Sequence, residues 1–534
     1  MHSTKGIRLS LASLLVLLSA LLVGAQQPTG VISGTVRDEK GDAVAGAKVT
    51  ITERATGRAF DVVANSEGFF EARSLPPGSY DVKVEQQGFS ATLIENVVVQ
   101  TGKVADASVQ LKVGNVSATV TVQGTEAQLQ VDTTRHTLDA VITGEQIVRA
   151  PLNGRNFLDL AGTSPSVVIR DGGAIDPTKT GTYRAVGVNG SSGTGTRIQI
   201  DGIDVTDETV GTTVSNLSTD AVQEFQLSRS SLDLSTSLTT TAAVNINTRS
   251  GGNEFHGSGF YFFRNENLGA RLNFEKTALP FHRKTPGFRF GGPIKKDKLF
   301  FFTNAEANYE GTQRLVTSTV FPQENGAVSF PTRFRYWDNR LDWNIRNDAK
   351  FFYRHGYDDN VTAGGTGSSP FQHVDWTIVH TLGLDVTGTH LTHTIRLGYV
   401  NFNNRIQSSE LSPFKFPLTP QGFPYYLEVG QFAQGPNLLA PQETYQDNKQ
   451  AKYDGSYTHG NHTIRFGGEF NRVIIGGFAN FTGPMQIYGT FNAANLAAFG
   501  TDPLKYPLNT FSVGVNSGFF TFEPAHNFAH GGHF

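Results

Sequence analysis

The 534-residue chain contains no cysteine, which excludes a disulfide framework, thiol catalysis and a cysteine-ligated zinc or iron–sulfur centre. It also lacks an excess of either charge. Its 44 Lys and Arg face 47 Asp and Glu, so no basic footprint for nucleic acid exists. Charged residues make up only 17% of the chain, below the roughly 25% usual for soluble domains. Long apolar runs are missing beyond the N-terminus, where no stretch reaches the roughly 18 residues that a spanning helix needs. A membrane-resident mature protein would therefore have to cross as a β-barrel. What the chain has in quantity is glycine and phenylalanine, 58 and 40 residues. Six Phe precede residue 251 and 34 follow it (40 − 6), and Trp337, Trp343 and Trp376 all lie in the later part. Two different kinds of material are joined in one chain.

His2, Lys5 and Arg8 precede a leucine-rich stretch that closes on Val23-Gly24-Ala25, the pattern of a signal peptide over residues 1–25, cut after Ala25. Residues 29–112 then alternate short strand patterns with turns such as Asp38-Glu39-Lys40-Gly41 and Pro76-Pro77-Gly78, which predicts a small β-sandwich. Ala47, Val49 and Ile51 alternate with Lys48, Thr50 and Thr52, as in a half-buried strand. The runs ISGTVRDEKGDAVAGAKVTI (residues 32–51) and NSEGFFEARSLPPGSYDVKVEQQGF (residues 65–89) resemble the carboxypeptidase regulatory-like domain, a transthyretin-like sandwich classed with carbohydrate-binding-like folds. The resemblance implies a non-enzymatic accessory module.

Residues 113–252 read as a linker followed by a second domain. Thr119, Val120, Thr121 and Val122 belong to an alternating β-forming segment bounded by glycine, which suits either an ordinary linker strand or addition to the edge of another protein's sheet. The segment resembles the TonB box of outer-membrane receptors, which implies a periplasmic TonB-type energiser as partner. Farther on, PLNGRNFLDL (151–160), VNGSSGTGTRIQIDGIDVTD (188–207), STDAVQEFQL (218–227) and VNINTRSGGNEFHGSGFYFFRNE (244–266) occur in that order. They resemble the plug domain and first barrel strand of TonB-dependent receptors of the Oar-like type. The plug motif falls on Asn153, Gly154, Arg155, Asn156, Asp201 and Gly202. From the residues alone, Arg197 to Ile200 with the Asp201-Gly202 turn reads as strand and hairpin. Asp220 reads as the cap of a short helix with Gln223 at its third position and Ala221, Val222 and Phe225 as its apolar stripe. Asp201, Asp204, Asp207 and Glu208 fit no calcium loop and read as a solvated turn.

Residues 253–534 carry alternating patterns of around ten residues, the length of a tilted strand crossing an outer membrane. Leu341, Trp343 and Ile345 alternate with Asp342, Asn344 and Arg346, and Asn347-Asp348 makes a short turn into Ala349, Phe351 and Tyr353. The same logic recurs at GNHTIRFGGEFNR (460–472), which resembles a barrel hairpin of this receptor family. Roughly twelve strand patterns fit after residue 250, against about 22 for a plugged transporter, which predicts an open half-barrel and part of a longer receptor. His526, His530 and His533 are separated by too much glycine for a helical metal site. No arrangement points to catalysis, so no catalytic, cofactor or metal residue is assigned.

These readings predict a mainly β protein: a small N-terminal β-sandwich, an α+β plug domain and part of an antiparallel transmembrane β-barrel. The resemblance implies an outer-membrane receptor or transporter, its first domain in the periplasm, lipid around its barrel and a carbohydrate or other extracellular ligand at its loops. Two alternatives stay open at this point, a barrel-anchored adhesion protein and a soluble carbohydrate-binding protein.

Overall fold

The computed structural model describes residues 29–513 and 532–533, apart from 115–118, 124–138, 177, 230–238, 270–278, 317–321, 323–324, 367–368, 389, 409–425, 430–431, 436, 438, 460–461, 480–484 and 503–504. The signal peptide, His526 and His530 lie outside the described residues.

The first body is a sandwich of strands β1 (Gly30–Arg37), β2 (Lys48–Glu53), β3 (Ala59–Val63), β4 (Phe69–Leu75), β5 (Gly78–Glu85), β6 (Ala91–Val99), β7 (Val104–Asp106) and β8 (Val109–Gln110). One sheet runs β4-β1-β7 with β8 also on β1, and the other starts β3-β2-β5-β6. Alternation drives the packing: Ala47, Val49, Ile51, Val82 and Val84 are fully buried between the sheets. The Asp38 turn closes because its carboxylate accepts from the N–H groups of Lys40 (2.9 Å) and Asp42 (2.8 Å) while Gly41 takes φ +91°. The segment resembling a TonB box forms β9 (Thr119–Gln123), which pairs in parallel with β6 and so becomes the fifth strand of this sandwich's own sheet.

The second body is the plug. Strands β10 (Asp139–Thr143), β11 (Val167–Asp171), β12 (Arg184–Val188), β13 (Thr196–Ile200), β14 (Ile203–Asp204), β15 (Val222–Ser228) and β16 (Ala242–Thr248) form one mixed sheet, β10-β15-β16-β13-β14, and one hairpin, β11-β12. A helix α1 (Gly144–Arg149) and a 3-10 turn over Phe157–Thr163 complete its α+β character. The expected helix beginning at Asp220 is corrected here. Ser218 caps a single 3-10 turn, Thr219–Ala221, and the chain then runs straight into β15. β-Strand pairing on both sides, with β10 and β16, outweighs the weak three-residue helix signal, and Phe225 and Leu227 enter the core from a strand.

The third body is a ten-stranded antiparallel sheet, β17 (His256–Asn265), β18 (Phe281–Lys295), β19 (Leu299–Val316), β20 (Gly326–Arg346), β21 (Ala349–Thr366), β22 (Ser369–Thr387), β23 (Leu391–Ser408), β26 (Gln442–His459), β27 (His462–Ala479) and the two-residue β30 (Gly532–His533). The connections after β23 and β27 hold β24 (Tyr426–Val429), β25 (Phe432–Gln434), β28 (Met485–Gly489), β29 (Leu508–Val513) and α2 (Ala493–Phe499), and these strands combine as β25-β24-β28-β29. Burial across the large sheet is inverted relative to the sandwich. Leu341, Trp343 and Ile345 are 43%, 48% and 40% exposed, whereas Asp342 and Asn344 on the other face are buried. A sheet with oily side chains outside and charged ones inside is the pattern of a transmembrane barrel wall. Eight of its strands, β18 to β23 with β26 and β27, exceed the expected ten residues. The 21 residues of β20 extend about 70 Å, so a tilted strand stands well clear of an apolar band about 25 Å tall. The end strands β17 and β30 are not paired with each other among the described residues, as expected of an open barrel wall. No helix among the described residues is long and apolar enough to cross a membrane.

The sandwich docks at the end of the sheet that carries short turns. Arg58 Nε donates to the Asn347 carbonyl (2.8 Å), and Asn253 N–H to the Ala55 carbonyl (2.7 Å). Thr101 N–H donates to Glu224 Oε1 of the plug (2.8 Å).

Candidate functional site: the seam between plug and barrel wall

The plug presses an apolar core against the sheet, with Phe302, Val379, Val400 and Phe402 of the wall joining Ile198, Ile203 and Phe225. Around that contact the seam is polar, and most of the plug-motif residues lie on it. Gly154 and Arg155 both take positive φ, +88° and +58°, and this left-handed corner accompanies the projection of Arg155 toward the wall. Arg155 donates to Glu306 of β19 (3.0 Å) and to Asp220 of the plug (2.5 Å), with its guanidinium 4.6 Å from the centre of the Phe260 ring. Ser218 Oγ donates to the other Glu306 oxygen (2.5 Å). Asn153 accepts from Arg283 of β18 (2.9 Å). Asn156 turns inward, capping the 3-10 turn through Leu158 N–H (3.0 Å) and donating to the Thr182 carbonyl (2.7 Å).

Asp201 and Gly202 sit at φ +49° and +85°, the two-residue turn that joins β13 to β14. The Asp201 carboxylate accepts from Thr248 N–H (3.0 Å), Thr248 Oγ1 (2.7 Å) and Arg340 of β20 (3.0 Å). Arg340 also grips Asp342 (3.0 Å), which in turn holds Lys350 (3.2 Å). The solvated-turn expectation for this region is therefore corrected. Asp201, Asp204 and Asp207 are each buried because the wall covers the turn; Arg340 of the wall compensates Asp201, and Arg197 and Lys179 of the plug compensate Asp204 and Asp207. Asp207 pairs with Lys179 at 2.8 Å. Burial alone would raise the Asp207 carboxyl, but the Lys179 charge and the Thr209 hydrogen bonds outweigh it and hold it below the usual range. At Asp204 burial wins over Arg197, and its carboxyl is pushed up to about 6. Among the described residues no group of three or more His, Asp or Glu could hold a metal ion.

Sequence reasoning missed the wall's half of the seam. Gln450 of β26 accepts from Asp204 N–H (2.9 Å) and donates to the Asp204 carbonyl (2.7 Å). Gln446, two inward positions along, does the same to Glu208 N–H (3.0 Å) and the Thr206 carbonyl (2.9 Å). These amides satisfy plug backbone much as a neighbouring strand would. Asp358 of β21 accepts from Asn216 N–H (2.9 Å), and Thr377 Oγ1 donates to the Val214 carbonyl (2.6 Å). At Gly398 a Cβ would lie 2.6 Å from Ile203, so the plug touches wall backbone there. A period-two pattern marks Gln446 and Gln450 as inward, but nothing local says that they meet the plug. Thr119, Val120, Thr121 and Val122 lie away from the seam, on the sandwich.

A plug inside a wall that is apolar outside and polar inside defines an outer-membrane barrel architecture. The family comparison agrees: residues 247–332 and 325–530, more than half the chain, match the outer membrane beta barrel domain, and the chain belongs to that family. Residues 31–112 match the carboxypeptidase regulatory-like domain. The protein is an outer-membrane protein.

Among curated proteins, the chain is similar to the TonB-dependent transporter Oar of Myxococcus xanthus, 26% identical over 386 residues, covering 66% of this chain and 35% of that protein. It thus spans about a third of the length of that relative. Among solved structures, the outer membrane transporter YddB from Escherichia coli shares the fold, with a TM-score of 0.52, 11% identity, and coverage of 70% of this chain and 51% of that one. The alcaligin outer membrane receptor FauA from Bordetella pertussis aligns at TM-score 0.41 and 12% identity over 65% of this chain and 57% of its own.

Proposed function

We propose that the chain works as a TonB-dependent receptor or transporter of the Oar-like type, without enzymatic activity. In this reading an extracellular ligand, a carbohydrate or another molecule, is taken up when a periplasmic TonB-type energiser engages residues 119–122 and displaces the plug. The observation that carries it is the seam. The plug is held by many separate hydrogen bonds and ion pairs, at Arg155, Asp201, Asp204 and Asn216, each of which can be exchanged for water. An apolar core contact larger than this would make displacement costly, and a covalent tie would forbid it. The sequence similarity to the TonB-dependent transporter Oar supports the same reading.

Because the chain has no cysteine, a single Asn153→Cys variant reports plug movement cleanly. In cells with an energised inner membrane, the maleimide labelling rate at this position should exceed the rate after the proton gradient is collapsed. Deleting residues 119–122 should abolish the difference while surface abundance stays the same. Equal labelling in all three conditions would refute energised plug movement and leave a static, anchored surface protein.

A further inference from the structure

The segment assigned above to the energiser is not free. β9 lies on the edge of β6, with Ala91 opposite Thr119, Leu93 opposite Thr121 and Glu95 opposite Gln123. The chain is led there by local ties. Ser90 N–H donates to the Lys112 carbonyl (2.9 Å) and Gly114 N–H to the Gly88 carbonyl (3.2 Å), so the polypeptide leaves the sandwich beside the start of β6. At Gly114 a Cβ would lie 2.3 Å from Ser90 Oγ, so the exit is tight. β9 is the last strand of its sheet, and its sequence, Thr-Val-Thr-Val-Gln, carries neither the charge nor the proline that usually blunts an edge.

We propose that the edge of β6, residues 91–95, is an internal docking site for the energiser-binding segment, so that the sandwich and the periplasmic partner compete for the same strand. This rests on the reading of residues 119–122 given under Proposed function, and it adds a regulatory role to a domain that otherwise only decorates the N-terminus. The load path supports it. Residues 124–138 separate β9 from the first plug strand, β10, and can extend about 50 Å before they transmit tension. Traction on β9 while it remains zipped to β6 is borne first by the sandwich and its clamps at Arg58, Ala55 and Thr101, of which only Thr101 reaches the plug, through Glu224. Release of β9 from β6 therefore precedes any pull on the plug through the segment that joins β9 to β10. A five-residue edge pairing is weak enough to open and strong enough to bias the equilibrium, and the apparent affinity of the partner falls by the fraction of chains that remain paired.

The test uses the full chain with Leu93→Cys and Thr121→Cys, whose partnered positions suit a disulfide and face no native thiol. Binding of the soluble periplasmic domain of a TonB-type energiser is titrated before and after reduction, so the reduced protein is its own folding control. Competition predicts that the oxidised form binds at least about tenfold more weakly and that reduction restores binding. Equal affinity of the two forms overturns it and places the partner elsewhere, such as the open edge of β9. No binding by the reduced form, nor by the unmodified chain, would instead sink the energiser reading itself.

Discussion

The sandwich and the barrel wall obey the same period of two and reach opposite outcomes. Along β5, Val82 and Val84 are fully buried and the charged Asp81, Lys83 and Glu85 face outward. Along β20 the apolar Leu341 and Trp343 face outward and Asp342 is fully buried. Alternation thus says that a strand has two faces without saying which one meets water. What decides is the cover available. The sandwich supplies a second sheet for its apolar face, whereas the wall has the plug on one side, and the plug offers carboxylates, guanidinium groups and backbone. The oily face is then left for lipid.

Substitutions can break this contrast in order of effect. Arg155→Ala leaves the buried Glu306 without its cation and should cost about 3–5 kcal/mol of plug seating, read as faster labelling of a cysteine at position 153. Arg155→Lys should recover part of the loss. Leu341→Arg places a charge on the lipid face and should cost about 2–4 kcal/mol in reversible unfolding from vesicles. Val63→Arg, on an exposed position of the sandwich, should stay within about 0.5 kcal/mol by thermal unfolding. If Leu341→Arg were as silent as Val63→Arg, the wall would not face lipid.

A fourth prediction concerns the contact between the two regions. Glu224 is buried where Thr101 docks, and burial, opposed only by the Thr101 hydrogen bonds, pushes its carboxyl up to about 7. Undocking returns it to water and to its ordinary value near 4.5. The docked form therefore binds the proton more tightly. Its advantage is full below the ordinary value and is lost as pH rises to about 7, by roughly tenfold per pH unit in between. Protease accessibility of the linker between sandwich and plug should follow that window, and Glu224→Gln should flatten the profile.

Much of this architecture was legible in the sequence. The two faces of β20 follow from alternation and the Asn347-Asp348 turn from its residue types, and Asp201-Gly202 announces its own left-handed corner. What failed did so for a shared reason, because local signals lose to distant cover. The helix expected at Asp220 shrinks to one 3-10 turn and gives way to a strand at Val222 because β10 and β16 flank β15. The acidic turn at residues 201–208 is buried because Arg340, Lys179 and Gln450, up to 246 positions away, close over it. The placement of β9 on β6 was likewise invisible, since five alternating residues state only that they will pair, not with which edge.

Gln446 and Gln450 divide the seam into two sectors that answer differently to the medium. A carboxamide neither titrates nor attracts counterions, so its own hydrogen bonds to residues 204–208 do not weaken with salt. The partly exposed guanidinium of Arg155, by contrast, holds through charge that salt weakens. Raised salt therefore acts on the Arg155 flank only to the extent that its guanidinium is exposed, and leaves the amide bonds of the other flank as they are.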